Sequence, residues 1–287
     1  GGVGRTWTGG DDKIRMTFIQ RHAYGCGYAF GALLWPFFPK RRRISIDNVL
    51  RCKIVADSAE AKRIAKASWC HLVGHIFEAL CVPRVVTKDN WREHVDFSEC
   101  DPETAKFFEA PLSTPMVLVS AHHGAWEAAT NILSFARPMI AVARVMNNRW
   151  VANWMKNHHF RGPTTVIDKN RGFTSAVIRQ WKDTKAAMTI LMDQYAGNGA
   201  MLEFLGRPAR TVTSVTRLMT HFGYPAMVAS FVRVGPYKYK VVGGAPVRFA
   251  KTEDKMKATQ LLNDRLGEII RKYPEQYLWS HRRWRDD

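Results

Sequence analysis

At 287 residues the chain is long enough for one large domain or two small ones, with a substantial buried core. Its 43 Lys and Arg against 25 Asp and Glu give a formal charge of +18 on a chain that is 46% hydrophobic and 11% aromatic. That balance excludes a disordered chain and points to a folded body with an anionic partner: nucleic acid, an anionic membrane, an acidic protein or a phosphorylated substrate.

Residues 1–12, rich in Gly and closed by Asp11 and Asp12, read as a loose tail. The uncharged run Ala23 to Pro39 is shorter than the roughly 20 residues of a spanning helix. It is interrupted by Gly25, Gly27, Gly31 and Pro36, and Lys40-Arg41-Arg42-Arg43 follow it. Two readings stay open, a shallow interfacial membrane anchor and a buried core helix; no small-residue cleavage site marks a signal peptide. From Asp57 to Leu80 the apolar positions recur at helical spacing, and Asp57 with Glu60 supplies a capping start.

Beyond Asp101-Pro102, strands and helices alternate. Strands are predicted at Met116 to Ser120, Met139 to Ala143, Thr165 to Ile167, Ala187 to Met192, Ala226 to Arg233 and Tyr237 to Val242. Helices are predicted at Ala125 to Phe135, Arg149 to His159, Thr174 to Lys182, Val212 to His221 and Glu253 to Lys272. The alternation implies an α/β fold: a mixed, mainly parallel sheet flanked by helices, with the last two strands as an antiparallel edge. The expected organisation is a tail and helical membrane-associating segment over 1–43, then a single α/β domain over 44–287.

The five cysteines, Cys26, Cys52, Cys70, Cys81 and Cys100, form no CxxC pair, which argues for a reducing compartment and against a disulfide framework or Cys-rich zinc site. The His158-His159 pair lacks the further ligands of a familiar metal set, so no metal is expected. The chemistry concentrates at Pro115-Met-Val-Leu-Val-Ser-Ala-His122-His123-Gly124-Ala125-Trp126-Glu127, an apolar strand, a turn and a helix start. His122 falls at the carboxyl end of a strand, where open α/β sheets bind ligands. In one continuous helix His122 and Glu127 would diverge by roughly 140°, so a break is needed, and Gly124 supplies it. The Glu127 carboxylate can then orient the imidazole and leave its other nitrogen as a base. The pattern alone is short, and it equally fits a satisfied strand-end histidine beside a solvent-facing His123.

At these residues the chain resembles the lipid A late acyltransferases, the lauroyl and myristoyl transferases within the wider HxxxxD/E acyltransferase superfamily. The likeness continues in order through Arg144, Arg161-Gly162, Leu191-Met-Asp193-Gln194 and Phe204-Leu-Gly206-Arg207-Pro208-Ala209 to Tyr273-Pro-Glu-Gln-Tyr-Leu-Trp-Ser-His-Arg-Arg-Trp284. Upstream, Arg42-Arg43-Ile44 and Ile46-Asp47-Asn48-Val49-Leu50 match the segment before the family's first long helix. It departs from the pattern at His123, where Phe is common, and at Thr211-Val-Thr213-Ser.

The resemblance implies transfer of a fatty acyl group from an acyl carrier protein or CoA thioester to a hydroxyl of a membrane lipid, such as a lipid A precursor, another glycolipid or an amino-acid lipid. It implies no bound cofactor, and a place at the cytoplasmic face of an inner membrane. A neutral imidazole oriented by a carboxylate can deprotonate an alcohol as it attacks a thioester, and the oxyanion then needs positive or N–H stabilisation. Arg144, Arg161, Asp193 and Gly124 are the candidates for oxyanion or acceptor binding, with Asp193 holding an arginine or orienting the acceptor. Arg207 and Arg210, read as flanking Pro208 in a loop, are the candidates for a phosphate or carrier site. Arg282, Arg283 and Arg285 with Trp279 and Trp284 resemble a membrane-interface belt. A nucleic-acid binder fits the charge, but no zinc-finger spacing, RRM-like signature or basic helix supports it.

Overall fold

A computed structural model describes residues 16–109, 114–143, 163–168 and 173–286. The expected helix Arg149 to His159, and Arg144 and Arg161, lie outside the described residues.

The chain begins with a helical hairpin. Helix α1 (Phe18–Leu34) starts in a capping box: Gln20 N donates to Thr17 Oγ1, and Thr17 N donates to Gln20 Oε1. Helix α3 (Ser58–Val85) starts where Glu60 N donates to the Asp57 side chain at 2.7 Å. It runs past the expected end at Leu80 although Pro83 forfeits the bond to the Ala79 carbonyl, because Val82 and Val85 bury apolar surface.

Two of the glycines that look like interruptions of α1, Gly27 and Gly31, are its contact surface. Ala23, Gly27 and Gly31 form a buried stripe, and a Cβ on Gly27 would lie 2.8 Å from the Cα of Gly74 in α3. One face of the Ala23 to Pro39 segment is therefore core, and the other leaves Phe30 and Leu33 exposed. Helix α2 (Pro39–Arg51) runs through the boundary expected after residue 43. It is tied to the C-terminal segment by Asn48, whose Nδ2 donates to the carbonyls of Trp279 and His281. The N-terminal segment is thus built into the α/β body.

The main sheet has seven strands in the order β1-β9-β8-β2-β5-β3-β4. They are β1 (Val95–Asp96), β2 (Met116–Ser120), β3 (Met139–Ala143), β4 (Thr164–Asp168), β5 (Ala187–Leu191), β8 (Ala226–Gly235) and β9 (Lys238–Gly243). All neighbours are parallel except β8 and β9. That antiparallel pair was expected at the edge, but the two-residue β1 covers β9 and is too short to leave a sequence pattern.

Helices α4 (Pro102–Glu109), α5 (Trp126–Leu133), α6 (Ser175–Thr184), α7 (Ser214–Phe222) and α8 (Lys255–Lys272) complete the described elements around the sheet. Side chains alternate across β2. Val117 and Val119 join the core that includes Leu262 of α8 and Trp279, while Met116 and Leu118 join the core of Val82, Val85 and Ile132.

A separate hairpin, β6 (Ala200–Phe204) with β7 (Arg207–Thr211), stands where a loop was expected. Its two-residue turn places Leu205 at φ 55° and Gly206 at φ 81°, the twist a tight hairpin needs. Pro208 masks the pattern, yet a two-stranded ribbon leaves room for a residue without an N–H.

Candidate active site

After β2 the chain turns through Ala121, His122, His123 and Gly124 into α5. Gly124 is at φ +66°, and a Cβ there would lie 2.3 Å from the carbonyl oxygen of Phe231, so only glycine fits. The C-terminal segment holds the turn in place: Gly124 N donates to Gln276 O at 2.9 Å, and Leu278 N donates to His122 O at 3.0 Å.

Register then decides what meets His122. Strands β2 and β5 are parallel neighbours with Ser120 opposite Leu191, so His122 and Asp193, each two residues further on, arrive side by side. His122 Nδ1 donates to Asp193 Oδ1 at 2.9 Å, and Gln194 Nε2 lies 3.2 Å from His122 Nε2. An ionised carboxylate only accepts, so the imidazole proton is on Nδ1 and the Nε2 lone pair receives the Gln194 amide. The His122 side chain is 18% exposed and that of Asp193 2%. Burial alone would raise the Asp193 pKa, but the electrostatic attraction and hydrogen bonds of His122 outweigh it and hold the carboxyl below its usual range. Burial, with the Asp193 charge beside it, keeps the Tyr277 phenol neutral.

Asp193 thus stands on the imidazole. Glu127 is half-buried in the first turn of α5, where the helix dipole favours a carboxylate.

A second layer backs the turn. The Trp126 ring meets His122 edge-on at 5.4 Å and His75 at 4.6 Å, and His75 stacks on His71. His71 Nε2 donates to the Gly124 carbonyl at 3.0 Å, so its Nδ1 accepts from the Tyr24 hydroxyl of α1, also at 3.0 Å. His123 is buried, with Nε2 donating to Tyr273 O at 2.9 Å; the solvent-facing reading of this residue does not hold.

Burial pushes the pKa of His71 down to about 3 and those of His123 and His281 down to about 4. In unfolded chain a histidine titrates near its ordinary value, roughly 6.5, so between pH 6.5 and 4 the unfolded state binds more protons. Stability present above that range should therefore fall as pH drops through it. Urea unfolding at pH 7, 6 and 5 should show the loss, with proton uptake on unfolding; a flat profile would contradict the neutral, buried assignment.

The other expected site residues fare differently. The N–H of Gly124 is committed to Gln276 and its carbonyl to His71, so an oxyanion role would require breaking the turn's own bond. Arg207 is not a phosphate fork on a loop. It is buried, donates to Asn48 Oδ1 at 3.3 Å and lies 4.7 Å over the Trp284 ring, so it braces the interior. Arg210 is paired with Asp286 at 2.5 Å. Arg283, expected in an interface belt, is buried and donates to Gln194 O and Thr211 Oγ1.

Gln194, His71 and Gln276 went unassigned in the sequence. Gln194 and Gln276 lie in stretches that resemble the family, and His71 is spaced four residues from His75 within a predicted helix. No group of three or more metal-ligating side chains occurs among the described residues.

The family model for bacterial lipid A biosynthesis acyltransferases matches residues 17–286. The chain belongs to this family. It is an acyltransferase of the lipid A biosynthesis type, and its match begins at the cap of α1 and ends beyond Trp284. Among solved structures, the 1-acyl-sn-glycerophosphate acyltransferase PlsC from Thermotoga maritima is similar over 85% of this chain and 97% of that one, at 13% identity and a TM-score of 0.34. Comparison with the curated proteins found no match.

Proposed function

We propose that the protein moves a fatty acyl chain from a thioester, carried by acyl carrier protein or CoA, to a hydroxyl of a membrane lipid such as a lipid A precursor, with His122 as general base. The observation that carries this reading is the His122–Asp193 pair at the carboxyl ends of adjacent parallel strands. With Nδ1–H held by Asp193, Nε2 is the basic nitrogen. An acceptor hydroxyl that displaces the Gln194 amide would give its proton to Nε2 while its oxygen attacks the thioester carbonyl. The displaced Gln194 N–H is then a donor for the oxyanion, alongside Arg144 and Arg161 as the family resemblance implies. Collapse expels the thiolate, which takes the proton back from the imidazolium. Glu127 supplies a second negative charge that favours the imidazolium.

Mass spectrometry of lipids from cells carrying the active protein or His122→Ala tests this reading. A lipid heavier by one acyl chain only with the active protein is expected; identical lipid profiles would refute it. A lipid of another class in the product would replace the lipid A precursor as acceptor.

The reading also places the enzyme on the cytoplasmic face of an inner membrane. No helix among the described residues is long and apolar enough to cross a bilayer. Instead Phe18, Ile19, Phe30, Leu33, Phe37 and Phe38 are exposed, and Phe30 lies 6.1 Å from Phe77 of α3, whose neighbours Ile76 and Leu80 are also exposed. An amphipathic face of this kind, followed by Lys40 to Arg43, suits an anionic bilayer surface. Because α1 is packed into the body, deletion would uncover core, whereas Phe30→Glu/Leu33→Glu/Phe37→Glu changes only the exposed face. Partition onto anionic vesicles should fall by roughly 100-fold or more in that variant. Unchanged vesicle binding by the triple variant would remove this face from the membrane.

A further inference from the structure

Residues some 240 positions apart in sequence meet in a pocket of about 400 Å³, lined by Lys40, Arg41 and Ile44 from α2 and by His281, Arg282 and Arg285 from the C-terminal segment. We propose that this pocket binds the phosphate of the lipid acceptor's headgroup; the inference rests on the acyl-transfer reading above and names the chemistry of its acceptor.

The first argument is charge. Four cations line one concavity, and among the described residues none of the four is in an ion pair. Their bonds are to neutral groups. Arg41 donates to Ser280 O at 2.9 Å, Arg285 donates to Arg282 O at 3.3 Å, and the Arg285 guanidinium lies over the Tyr195 ring. The nearby Asp286 is taken by Arg210. Like charges held in one pocket repel, and an anion relieves that repulsion. Guanidinium groups match phosphate oxygens in a two-pronged geometry.

The second argument is that the backbone walls of the pocket are fixed to one another. Its tail wall is fixed to α2 by Asn48 at two carbonyls and by Arg41 at a third. Buried Arg283, between the pocket's two tail arginines, donates to Gln194 O at 3.1 Å and so ties the wall to the residue touching His122. His281 lies within electrostatic reach of both His122 and Asp193. An anion here would sit beside the reacting centre at a fixed offset.

The third argument selects the source of the phosphate. The exposed Phe37 and Phe38 immediately precede Pro39 and Lys40, so the pocket opens where the apolar face ends and basic residues begin. That is the depth at which a lipid in the bilayer presents its headgroup. A phosphate arriving on the donor thioester's carrier arm is the competing source.

The test uses Lys40→Gln/Arg282→Gln, with lipids in neutral detergent micelles so that vesicle charge plays no part. KM for a phosphorylated acceptor should rise about tenfold or more, since hydrogen bonds to charged groups are lost. KM for the same acceptor after phosphatase treatment, and for the thioester, should stay at the parent's value. A rise confined to the thioester would transfer the pocket to the donor and overturn the proposal, as would equal effects on both acceptors or none.

A second readout is independent of turnover. The phosphorus resonance of dihexanoyl phosphatidic acid should broaden with His122→Ala and sharpen again when Lys40→Gln/Arg282→Gln is added. Broadening that survives the added changes would sink the pocket. Broadening that they abolish, in a protein that acylates no lipid, would leave the pocket standing while the acyl-transfer reading fell.

Discussion

Asp193→Asn should lower kcat by roughly 10²- to 10⁴-fold while leaving KM for the lipid within a few-fold of the parent. The expectation follows from what the carboxylate does in the pair. Asp193 is almost completely buried and accepts the Nδ1 proton of His122 at 2.9 Å, which leaves the lone pair on Nε2. An amide at the same place can turn its NH2 toward Nδ1. That turns Nδ1 into an acceptor, moves the imidazole proton to Nε2 and abolishes the base. It also withdraws the negative charge that would stabilise the imidazolium.

His122→Ala should lose at least as much as Asp193→Asn, and combining the two should add little, because both disable one unit. Glu127→Gln should be impaired, by less than His122→Ala, since shape is kept and only charge is lost. The pH dependence separates these roles from a merely structural one: the rise of kcat/KM with pH that reports imidazole deprotonation should be displaced in Asp193→Asn. Acyl transfer by Asp193→Asn at the parent's rate and with the parent's pH profile would remove this carboxylate from the mechanism.

That Asp193 belongs to His122 could not be read from the chain, although both residues stood out in it. Their meeting depends on β2 and β5 being neighbours in parallel register, and β3 and β4 lie between them in sequence. Local pattern reports an apolar strand ending in His122 and another ending beside Asp193; which strands pair is decided by packing across the whole sheet. For the same reason Glu127, five residues from His122, was put forward as its partner from the chain and Asp193 was not.

The strands themselves were legible where both faces are largely buried, as in β2 and β5, because all positions but Ser120 and Thr189 are apolar. The hairpin β6–β7 was not, since Arg207, Pro208 and Arg210 are poor strand signals and Leu205-Gly206 is not a customary turn pair. The glycines of α1 show the opposite error. In isolation they weaken a helix, but in this fold Gly27 and Gly31 let two helices approach where a side chain would crowd the partner helix.

The body that holds the site rigid should be most sensitive at Glu78, a residue remote from the chemistry. Its side chain is 3% exposed, and three donors converge on it: Arg233 Nε at 2.5 Å on Oε2, with the Tyr237 N–H at 2.9 Å and the Tyr239 hydroxyl at 2.8 Å on Oε1. Burial and the adjacent Glu78 charge hold the Tyr239 phenol far above its usual pKa, so it stays a donor. Glu78→Ala would leave a guanidinium that is itself only 14% exposed without its counter-charge, plus two unmet donors, and should cost about 3–5 kcal/mol of stability. Glu78→Gln, which keeps the volume and one acceptor oxygen, should lose less.

The consequence reaches the catalytic turn by a continuous path. The Arg233 guanidinium packs 3.5 Å from the Tyr24 ring, and the Tyr24 hydroxyl donates to His71, which holds the Gly124 carbonyl. The Arg233 backbone is pinned at both its N–H and its carbonyl by the Gln276 side chain, and the Gln276 carbonyl accepts from Gly124 N. Loss of Glu78 frees Arg233 and loosens both holds on Gly124, so Glu78→Ala should also reduce kcat at temperatures where it remains folded. Urea unfolding read against the parent, followed by turnover well below the unfolding midpoint, checks both parts. A change under 1 kcal/mol would mean that water reaches Arg233 and replaces the carboxylate. A destabilised variant with the parent's kcat would show that the turn is held by the C-terminal segment alone.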